Sequence, residues 1–248
     1  MKLISLNTWG CRVTKPIFQF IKENSESTDV FCFQEILKDG NGKTPRGELK
    51  NSYEEIQKLL PHHTGYFSEY VDGYYGEDSK KLDFKFGIAC YARADLKQNF
   101  AGAIPLLNPT KKWTDYEGRF AAGSAMALSV EEYAIINTHG LWQNSIKEDT
   151  EAKIEQSKKI LDLAEKTAEK KIICGDFNLL PDTLSIKMLS DKYENLIEEY
   201  GVKDTRGVLY EKDVRYSDYA FVDRDIAVKN FSVPNIQISD HLPLLITF

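Results

Sequence analysis

Short apolar segments that end in polar side chains recur along the chain. The apolar runs, with the polar residues that follow them, are 3–6 with Asn7, 30–33 with Gln34 and Glu35, 134–136 with His139, and 172–174 with Asp176 and Asn178. Short runs of β-branched and apolar residues indicate buried strands. Four buried strands are therefore predicted to carry polar side chains at their carboxyl ends.

Two later segments reverse this order, because the polar residues come first. Ser217 and Asp218 precede the apolar run 219–221, and Asp240 and His241 precede the run 242–246. If these strands are antiparallel to the earlier ones, their starts lie at the same edge of the sheets as the earlier ends. The pattern thus predicts one polar cluster built from residues far apart in sequence.

The remaining pattern alternates strands and helices. Strands are predicted at 2–9, 29–33, 65–71, 86–93, 119–130, 133–139, 171–174, 216–222, 226–231 and 242–248, and helices at 16–24, 49–60, 148–170 and 183–189. Asp182, after Pro181, is the predicted N-cap of the last helix. The chain shows no internal repeat or linker, so a single α/β domain over 1–248 is expected.

The segment Gly175-Asp176-Phe177-Asn178 is the strongest candidate for catalytic residues. Asp176 and Asn178 are one residue apart and are expected to face the same way, so that an acceptor and an amide stand together at a strand end. Such a pair can polarise a water molecule. A simple turn is the alternative, since Gly, Asp, Asn and Pro are the usual turn residues.

Composition and charge narrow the class of protein. Of the 248 residues, 42% are hydrophobic and 28% are charged, as is usual for soluble globular proteins. No apolar run is long enough to cross a bilayer, and the N-terminus enters a strand directly, so we expect a cytosolic protein without a membrane span. The net charge of −6 argues against strong non-specific binding to a long polyanion.

The four cysteines show no paired spacing and three lie in apolar runs. They are Cys11, Cys32, Cys90 and Cys174. This distribution favours reduced core residues over a disulfide framework or a zinc site.

Taken together and in order, six motifs resemble the endonuclease/exonuclease/phosphatase family with the DNase I-like fold. They are Asn7, Gln34-Glu35, Thr138-His139, Gly175-Asp176-Phe177-Asn178, Ser217-Asp218-Tyr219 and Ser239-Asp240-His241. Each motif is short, but the series spans nearly the whole chain. The resemblance implies a four-layer α/β sandwich, in which two mixed β-sheets pack face to face between outer helices, and metal-dependent hydrolysis of phosphoesters.

The resemblance also implies a role for each matching residue. Glu35 is the main metal ligand, with Asn7 and Asp240 nearby, and Mg²⁺ is the expected ion, with Mn²⁺ as the alternative. Mg²⁺ prefers a few hard oxygen ligands, and the oxygens of these three side chains suit that preference. Asp176 would orient or deprotonate the attacking water.

Histidines and amides are expected to complete the catalytic set. Asn178 and His139 would donate hydrogen bonds to phosphate oxygens. Asp218 would fix the tautomer of His241 and raise its pKa. Either Asp176 or His241 is then the general base, and the sequence leaves this choice open.

Three further residues are candidates for substrate contact. Trp9 and Trp142 follow catalytic positions closely, and Arg119 precedes a predicted strand. Each has a purely structural alternative, as large aromatics are often core residues and exposed arginines are often only solvated. The same holds for the single catalytic candidates: His139 alone suits a structural histidine, and Asp218 alone suits a turn.

The expected activity is a phosphodiesterase acting on a nucleic-acid end or a nucleotide. A phosphomonoesterase or a phospholipid headgroup hydrolase is the alternative within enzymes. A non-catalytic module that binds a phosphorylated ligand is the alternative outside them. No protein partner is predicted. His139 resembles the family branches that hold sphingomyelinases, inositol-polyphosphate phosphatases, deadenylases and tyrosyl-DNA phosphodiesterases.

Overall fold

A computed structural model describes residues 1–71, 83–106, 123–143, 147–167 and 169–248. Within these ranges the chain forms twelve strands, which are β1 (Lys2–Asn7), β2 (Val30–Lys38), β3 (His63–Val71), β4 (Lys85–Arg93), β5 (Gln98–Pro105), β6 (Ser124–Val130), β7 (Tyr133–His139), β8 (Lys170–Asp176), β9 (Glu194–Asn195), β10 (Asp218–Val222), β11 (Asn230–Ser232) and β12 (Leu244–Thr247). The helices are α1 (Thr14–Asn24), α2 (Ser52–Leu59), α3 (Glu151–Glu165), α4 (Leu184–Lys192) and α5 (Leu196–Glu199).

The strands form two six-stranded mixed sheets. The order is β11-β12-β1-β2-β4-β3 in the first sheet and β5-β6-β7-β8-β10-β9 in the second. The central pairs β1–β2 and β7–β8 are parallel. β12 is antiparallel to β1, and β10 is antiparallel to β8 with Asp218 opposite Asp176. The predicted meeting of strand ends and strand starts at one edge is confirmed.

Strand alternation explains why the molecule has four layers. On β1, Leu3 joins the core that extends into the second sheet, whereas Ile4 and Leu6 join a second core that includes residues of α1 and α2. Successive side chains of a strand point to opposite faces, so a strand that is apolar at every position is covered on both sides. α3 and α4 pack against the other face of the second sheet. The predicted α/β sandwich is thereby confirmed.

Several predicted element boundaries were wrong. β5 was not predicted, because this exposed edge strand has a bulge between Phe100 and Gly102 that breaks the alternation of polar and apolar residues. Of the predicted strand 119–130, only Ser124–Val130 lies in a described strand, and 119–122 are outside the described residues. The predicted strand 226–231 shrinks to Asn230–Ser232.

The start of α4 corrects one capping prediction. Thr183, not Asp182, is the N-cap, and its hydroxyl accepts a hydrogen bond from the Ile186 amide. The Asp149 carboxylate, which lies just before α3, accepts hydrogen bonds from two further backbone amides at the helix start, those of Leu184 and Ser185. Both devices satisfy backbone donors that a helix start leaves unpaired.

The cysteines behave as predicted. All four are free and buried, and Cys32 and Cys90 face each other across neighbouring strands with their sulfurs 3.7 Å apart. No helix within the described residues combines the length and apolarity that crossing a membrane requires.

Candidate active site

A pocket of about 250 Å³ opens at the edge where the ends of β1, β7 and β8 meet the start of β10. The predicted site residues that line it are Trp9, Glu35, His139, Trp142, Asp176, Asn178, Asp240 and His241. Asn7 and Asp218 lie directly behind this lining, hydrogen-bonded to Asp176 and His241 respectively. Arg119 lies outside the described residues. The structure thus brings together all of the predicted catalytic and metal-binding residues.

Three residues of the pocket have a left-handed backbone. The φ angles of Trp9, Glu35 and Asn178 are 51°, 56° and 55°, a conformation that non-glycine residues rarely adopt. Such strain persists only where surrounding structure holds it, and it is concentrated at functional sites. Glu35 is not at the end of its strand as predicted, because β2 continues to Lys38 through a bulge that projects this side chain into the pocket.

A buried amide pair supports this bulge from the opposite sheet. Asn137 on β7 donates to the carbonyl oxygens of Phe33 and Ala89, at 3.1 and 3.0 Å, and accepts from Gln34 at 2.6 Å. The bulge interrupts the β2–β4 ladder after Phe33. Because buried carbonyls need donors, Asn137 satisfies the acceptors that the bulge leaves and ties the two sheets together under the pocket.

Asn7 bridges two carboxylates. Its Nδ2 lies 3.2 Å from Glu35 Oε1 and 3.0 Å from Asp176 Oδ2, whereas its Oδ1 accepts the backbone amide of Trp9. The amide oxygen is therefore turned away from the carboxylates. In this orientation Asn7 holds the carboxylates of Glu35 and Asp176 in place, and direct metal binding by Asn7 stays a prediction.

Asp176 is the most heavily hydrogen-bonded carboxylate of the site. It accepts from the Asn178 amide at 2.9 Å, from the Ser217 hydroxyl and from Asn7. Burial alone would raise the pKa of this carboxyl, but His241, Arg206, His139 and Lys147 together hold it well below its usual range. Asp176 is therefore ionised at neutral pH.

His241 and Asp218 form a buried pair, with Nδ1 of the histidine 2.8 Å from the carboxylate. The partner agrees with the prediction, but the predicted direction of the pKa shift was wrong. Burial and Arg206 lower the pKa of His241 to about 3, and burial and Asp176 raise the pKa of Asp218. The second ring nitrogen, Nε2, lies 3.6 Å from Asp176.

Two buried cations near the carboxylates were not predicted. Arg206 is 5% exposed and pairs with Asp240 at 3.0 Å. Lys147, 4% exposed, donates to the Ser217 hydroxyl at 2.6 Å, and burial and Arg206 lower its pKa to about 7. No motif marks either residue in the sequence.

A third buried cation, Lys153, did leave a sequence signal. Its Nζ donates to the carbonyl of Asn178 at 2.9 Å. Lys153 is seven positions before Ile160, and it therefore lies on the helix face that Ile160 directs into the core. A lysine on a predicted buried face needs a partner.

Comparisons with known proteins agree with this geometry. The sequence profile of the Endonuclease/Exonuclease/phosphatase family matches residues 4–241, which is nearly the whole chain. The chain belongs to this family. No curated protein matches the chain significantly. Members of the Endonuclease/Exonuclease/phosphatase family are phosphoester hydrolases that generally depend on a divalent metal.

Solved structures show the same fold at low identity. An Endonuclease/Exonuclease/phosphatase family protein from Leptotrichia buccalis is 17% identical, with a TM-score of 0.68 over 100% of this chain and 98% of that one. The mannosyl-6-phosphatase of Bacteroides thetaiotaomicron is also 17% identical, with a TM-score of 0.67 over 100% and 98%. The human Nocturnin catalytic domain, solved with a sulfate anion, is 16% identical, with a TM-score of 0.62 over 99% and 92%.

The family's divalent metal fits the residues present. Burial raises the pKa of Glu35 to about 8, and the carboxylates of Asp240 and Asp176 add to the rise. A pocket that gathers carboxylates in this way is suited to a cation, and hard oxygen donors suit Mg²⁺. The Glu35 side chain is 24% exposed and Asp240 is 11% exposed, whereas that of Asp176 is 2% exposed. Glu35 and Asp240 are therefore the residues best able to hold the ion.

A second cluster of possible ligands fits less well. Ligand atoms of Asp176, Asp218 and His241 lie within 4.8 Å of one another. These atoms already bond to one another or to neighbouring donors, as described above. Binding a cation there would compete with the hydrogen bonds that Asp218 makes to His241 Nδ1 and that Asp176 accepts.

His139 is expected to make the stability of the folded protein depend on pH. Burial lowers its pKa to about 4, below the ordinary value of about 6.5. Between these two pH values the unfolded chain binds a proton that the folded protein does not, so acid favours unfolding. The wild-type free energy of unfolding should therefore fall, relative to that of His139→Gln, by up to about 1.4 kcal/mol per pH unit.

Urea unfolding of both proteins in EDTA, near neutral pH and near pH 5, measures this difference. The stability of the variant relative to wild type is expected to improve at the lower pH. An equal difference at the two pH values would contradict the assigned shift.

Proposed function

We propose that the protein is a Mg²⁺-dependent phosphodiesterase that hydrolyses a phosphodiester in a nucleic-acid end or a nucleotide. The family assignment supports phosphoester hydrolysis, and the pocket lining supports the choice of substrate. The cytosolic location and the single domain over 1–248 remain predictions.

The observation that carries the choice is the mixture of aromatic rings and cations around the carboxylates. Trp9, Trp142 and Tyr210 line the pocket together with Arg12, Arg46 and Lys212. The guanidinium of Arg12 lies 4.7 Å from the centre of the Trp9 ring. Flat rings stack on bases and cations pair with phosphates, so this lining suits a ligand that has both.

Within the pocket, the roles follow from the hydrogen bonds already present. Asp176 is ionised and orients the attacking water. Against the prediction that Asn178 donates to phosphate, its Nδ2 donates to the Gly140 carbonyl at 3.2 Å. Its Oδ1 is buried and has no hydrogen-bond partner within the described part of the chain, so it would supply a second acceptor for that water. His139 is neutral at pH 7 and donates to a phosphate oxygen without adding charge.

The metal, when bound, neutralises charge on the phosphate and makes its phosphorus easier to attack. Glu35 and Asp240 would hold it. Either Asp176 or His241 Nε2, which lies 3.6 Å from the Asp176 carboxylate, would receive the water proton.

Hydrolysis of bis-p-nitrophenyl phosphate and of p-nitrophenyl phosphate, each with Mg²⁺ and with EDTA, tests the proposal. Turnover of the diester that depends on Mg²⁺ is the expected result. Turnover of the monoester alone would favour a phosphomonoesterase instead. Absence of turnover with either Mg²⁺ or Mn²⁺ would contradict an enzymatic role and favour a phosphate-binding module.

The natural substrate class needs a second assay. Oligonucleotides with different ends, cyclic nucleotides, inositol phosphates and sphingomyelin cover the predicted class and the headgroup alternative. Preference for oligonucleotides or nucleotides is expected. Preference for sphingomyelin or inositol phosphates would contradict the substrate choice and leave the phosphoesterase assignment in place.

A further inference from the structure

Arg206 is a buried guanidinium that contacts the acidic side of the pocket. Its Nη1 lies 3.0 Å from Asp240 Oδ2, and its Nη2 donates to the Ser217 hydroxyl at 3.1 Å. One face of the guanidinium lies 4.2 Å from the centre of the Tyr210 ring. With these partners on three sides, its position is fixed.

Ser217 extends this contact to a second carboxylate. Its hydroxyl donates to Asp176 Oδ1 and accepts from Arg206 and from Lys147. Arg206 is therefore bonded directly to Asp240 and, through one hydroxyl, to Asp176. A serine hydroxyl has one donor and two acceptor sites, so these three contacts use its full capacity.

The two carboxylates come from different sheets. Asp176 is the last residue of β8 in the second sheet, and Asp240 precedes β12 in the first. Backbone bonds fix the Arg206 loop to the segment before β12: the Gly207 amide donates to the Asp240 carbonyl, and the Leu242 amide donates to the Thr205 carbonyl. Arg206 thus lies where the two halves of the site meet.

We propose that Arg206 is a positioning residue, which holds Asp240 directly and Asp176 through Ser217 so that the two sheets present their carboxylates at a fixed separation. This inference rests on the proposed phosphoesterase function. Arginine suits the task better than lysine, because its planar fork makes two directed hydrogen bonds at once. A displacement of about 1 Å at a reacting group can lower a rate about a hundredfold.

A role in stability alone is the competing explanation. A buried ion pair can be necessary for folding without affecting catalysis, since removal of one partner leaves an uncompensated charge. The two explanations differ in what happens to the protein that still folds. Positioning predicts a lower kcat in folded variants, and a stability role predicts an unchanged kcat with a lower melting temperature.

The test compares Arg206→Ala, Arg206→Lys and Ser217→Ala with wild type in the Mg²⁺-dependent diester assay. Arg206→Ala should lower kcat about 10- to 100-fold with KM within about threefold, because geometry and not substrate affinity is lost. Arg206→Lys should recover part of the loss. Guanidinium chloride, far below concentrations that unfold proteins, should partly restore the turnover of Arg206→Ala.

Ser217→Ala keeps the test valid if Arg206→Ala does not fold. It removes the link to Asp176 and leaves the pair between Arg206 and Asp240, so kcat should fall while the charge is unchanged. Arg93→Gln is the matched control, since Arg93 pairs with Asp95 at the surface, and its kcat should equal that of wild type. A wild-type kcat in folded Arg206→Ala or in Ser217→Ala would overturn the proposal.

Crystal structures of the same variants test positioning without a substrate. The carboxylate of Asp240 should move in Arg206→Ala, and that of Asp176 should move in Ser217→Ala. Unmoved carboxylates would overturn the proposal whatever the assay shows. Lack of turnover by the wild-type protein would count against the proposed function, and these structures would still decide the role of Arg206.

Discussion

Replacement of Glu35 with alanine is expected to reduce diester turnover at least about a hundredfold. Glu35 projects into the pocket from a bulge, its backbone is held in a left-handed conformation, and Asn7 fixes its carboxylate. The two other carboxylates of the pocket lining, Asp176 and Asp240, are hydrogen-bonded to several donors or paired with Arg206. Without Glu35, a bound metal would lose the most accessible of its proposed ligands.

The Mg²⁺ concentration that the variant requires distinguishes loss of a metal ligand from a general loss of structure. Glu35→Ala should require more Mg²⁺ for half-maximal turnover than wild type, whereas its thermal stability in EDTA should not decrease. Removal of this partly buried carboxyl group, whose pKa is raised to about 8, also removes its repulsion from Asp240. Glu155→Ala, at an exposed position of α3, is the control. Near wild-type turnover in Glu35→Ala would refute its role as the main ligand.

Replacement of Asp176 with alanine is expected to have an effect at least as large, about a hundredfold or more. Asp176 contacts most of the other site residues. Asn7, Asn178 and Ser217 donate hydrogen bonds to it, and His139 and His241 both lie within 3.7 Å. Loss of its charge removes the acceptor for the attacking water. It also leaves Arg206 and Lys147 without their shared anion.

Asp176→Asn separates the loss of negative charge from the loss of side-chain volume. The amide keeps the size of the side chain but not its charge, so turnover should remain low while stability recovers relative to alanine. KM should change little in both variants if Asp176 acts on the water and not on the bound phosphate. Asp162→Ala, exposed on α3, controls for loss of an acidic residue. Asp176→Asn with near wild-type turnover would exclude the assigned role.

The sequence predicted the location of the site because local patterns determine strand ends. An apolar run that stops at Asn7, His139 or Asp176 specifies where a strand leaves the core, and the sheet topology then brings these ends to one edge. The start of β10 at Asp218 follows the same rule in the antiparallel direction. These features depend on a few adjacent residues.

The parts that were not predicted depend on contacts between distant segments. The bulge at Glu35 is held by Asn137, about a hundred positions later in the sequence. Arg206 lies in a polar loop without periodicity, and only the fold shows that Asp240 and Ser217 converge on it. The pKa of His241 could not be predicted either, since it depends on how much burial outweighs nearby charges.

Substrate choice is the least determined property for the same reason. The strands that carry the catalytic residues are shared across the fold, whereas side chains on loops decide which ligand fits. Arg12, Tyr210 and Lys212 line the pocket from such segments. The aromatic and cationic character of these loops supports a nucleotide-like ligand, and the substrate assays address it directly.

Side chains distant in sequence are proposed to assemble one divalent-metal site around Glu35. A crystal structure of the protein soaked in Mn²⁺, measured near the manganese absorption edge, tests this proposal most directly. An anomalous peak bonded to the carboxylate of Glu35 is expected in the pocket, and no such peak is expected in crystals of Glu35→Ala. A peak bonded to Asp218 and His241 instead, or an occupied site that persists without Glu35, would rule out Glu35 as the main metal ligand.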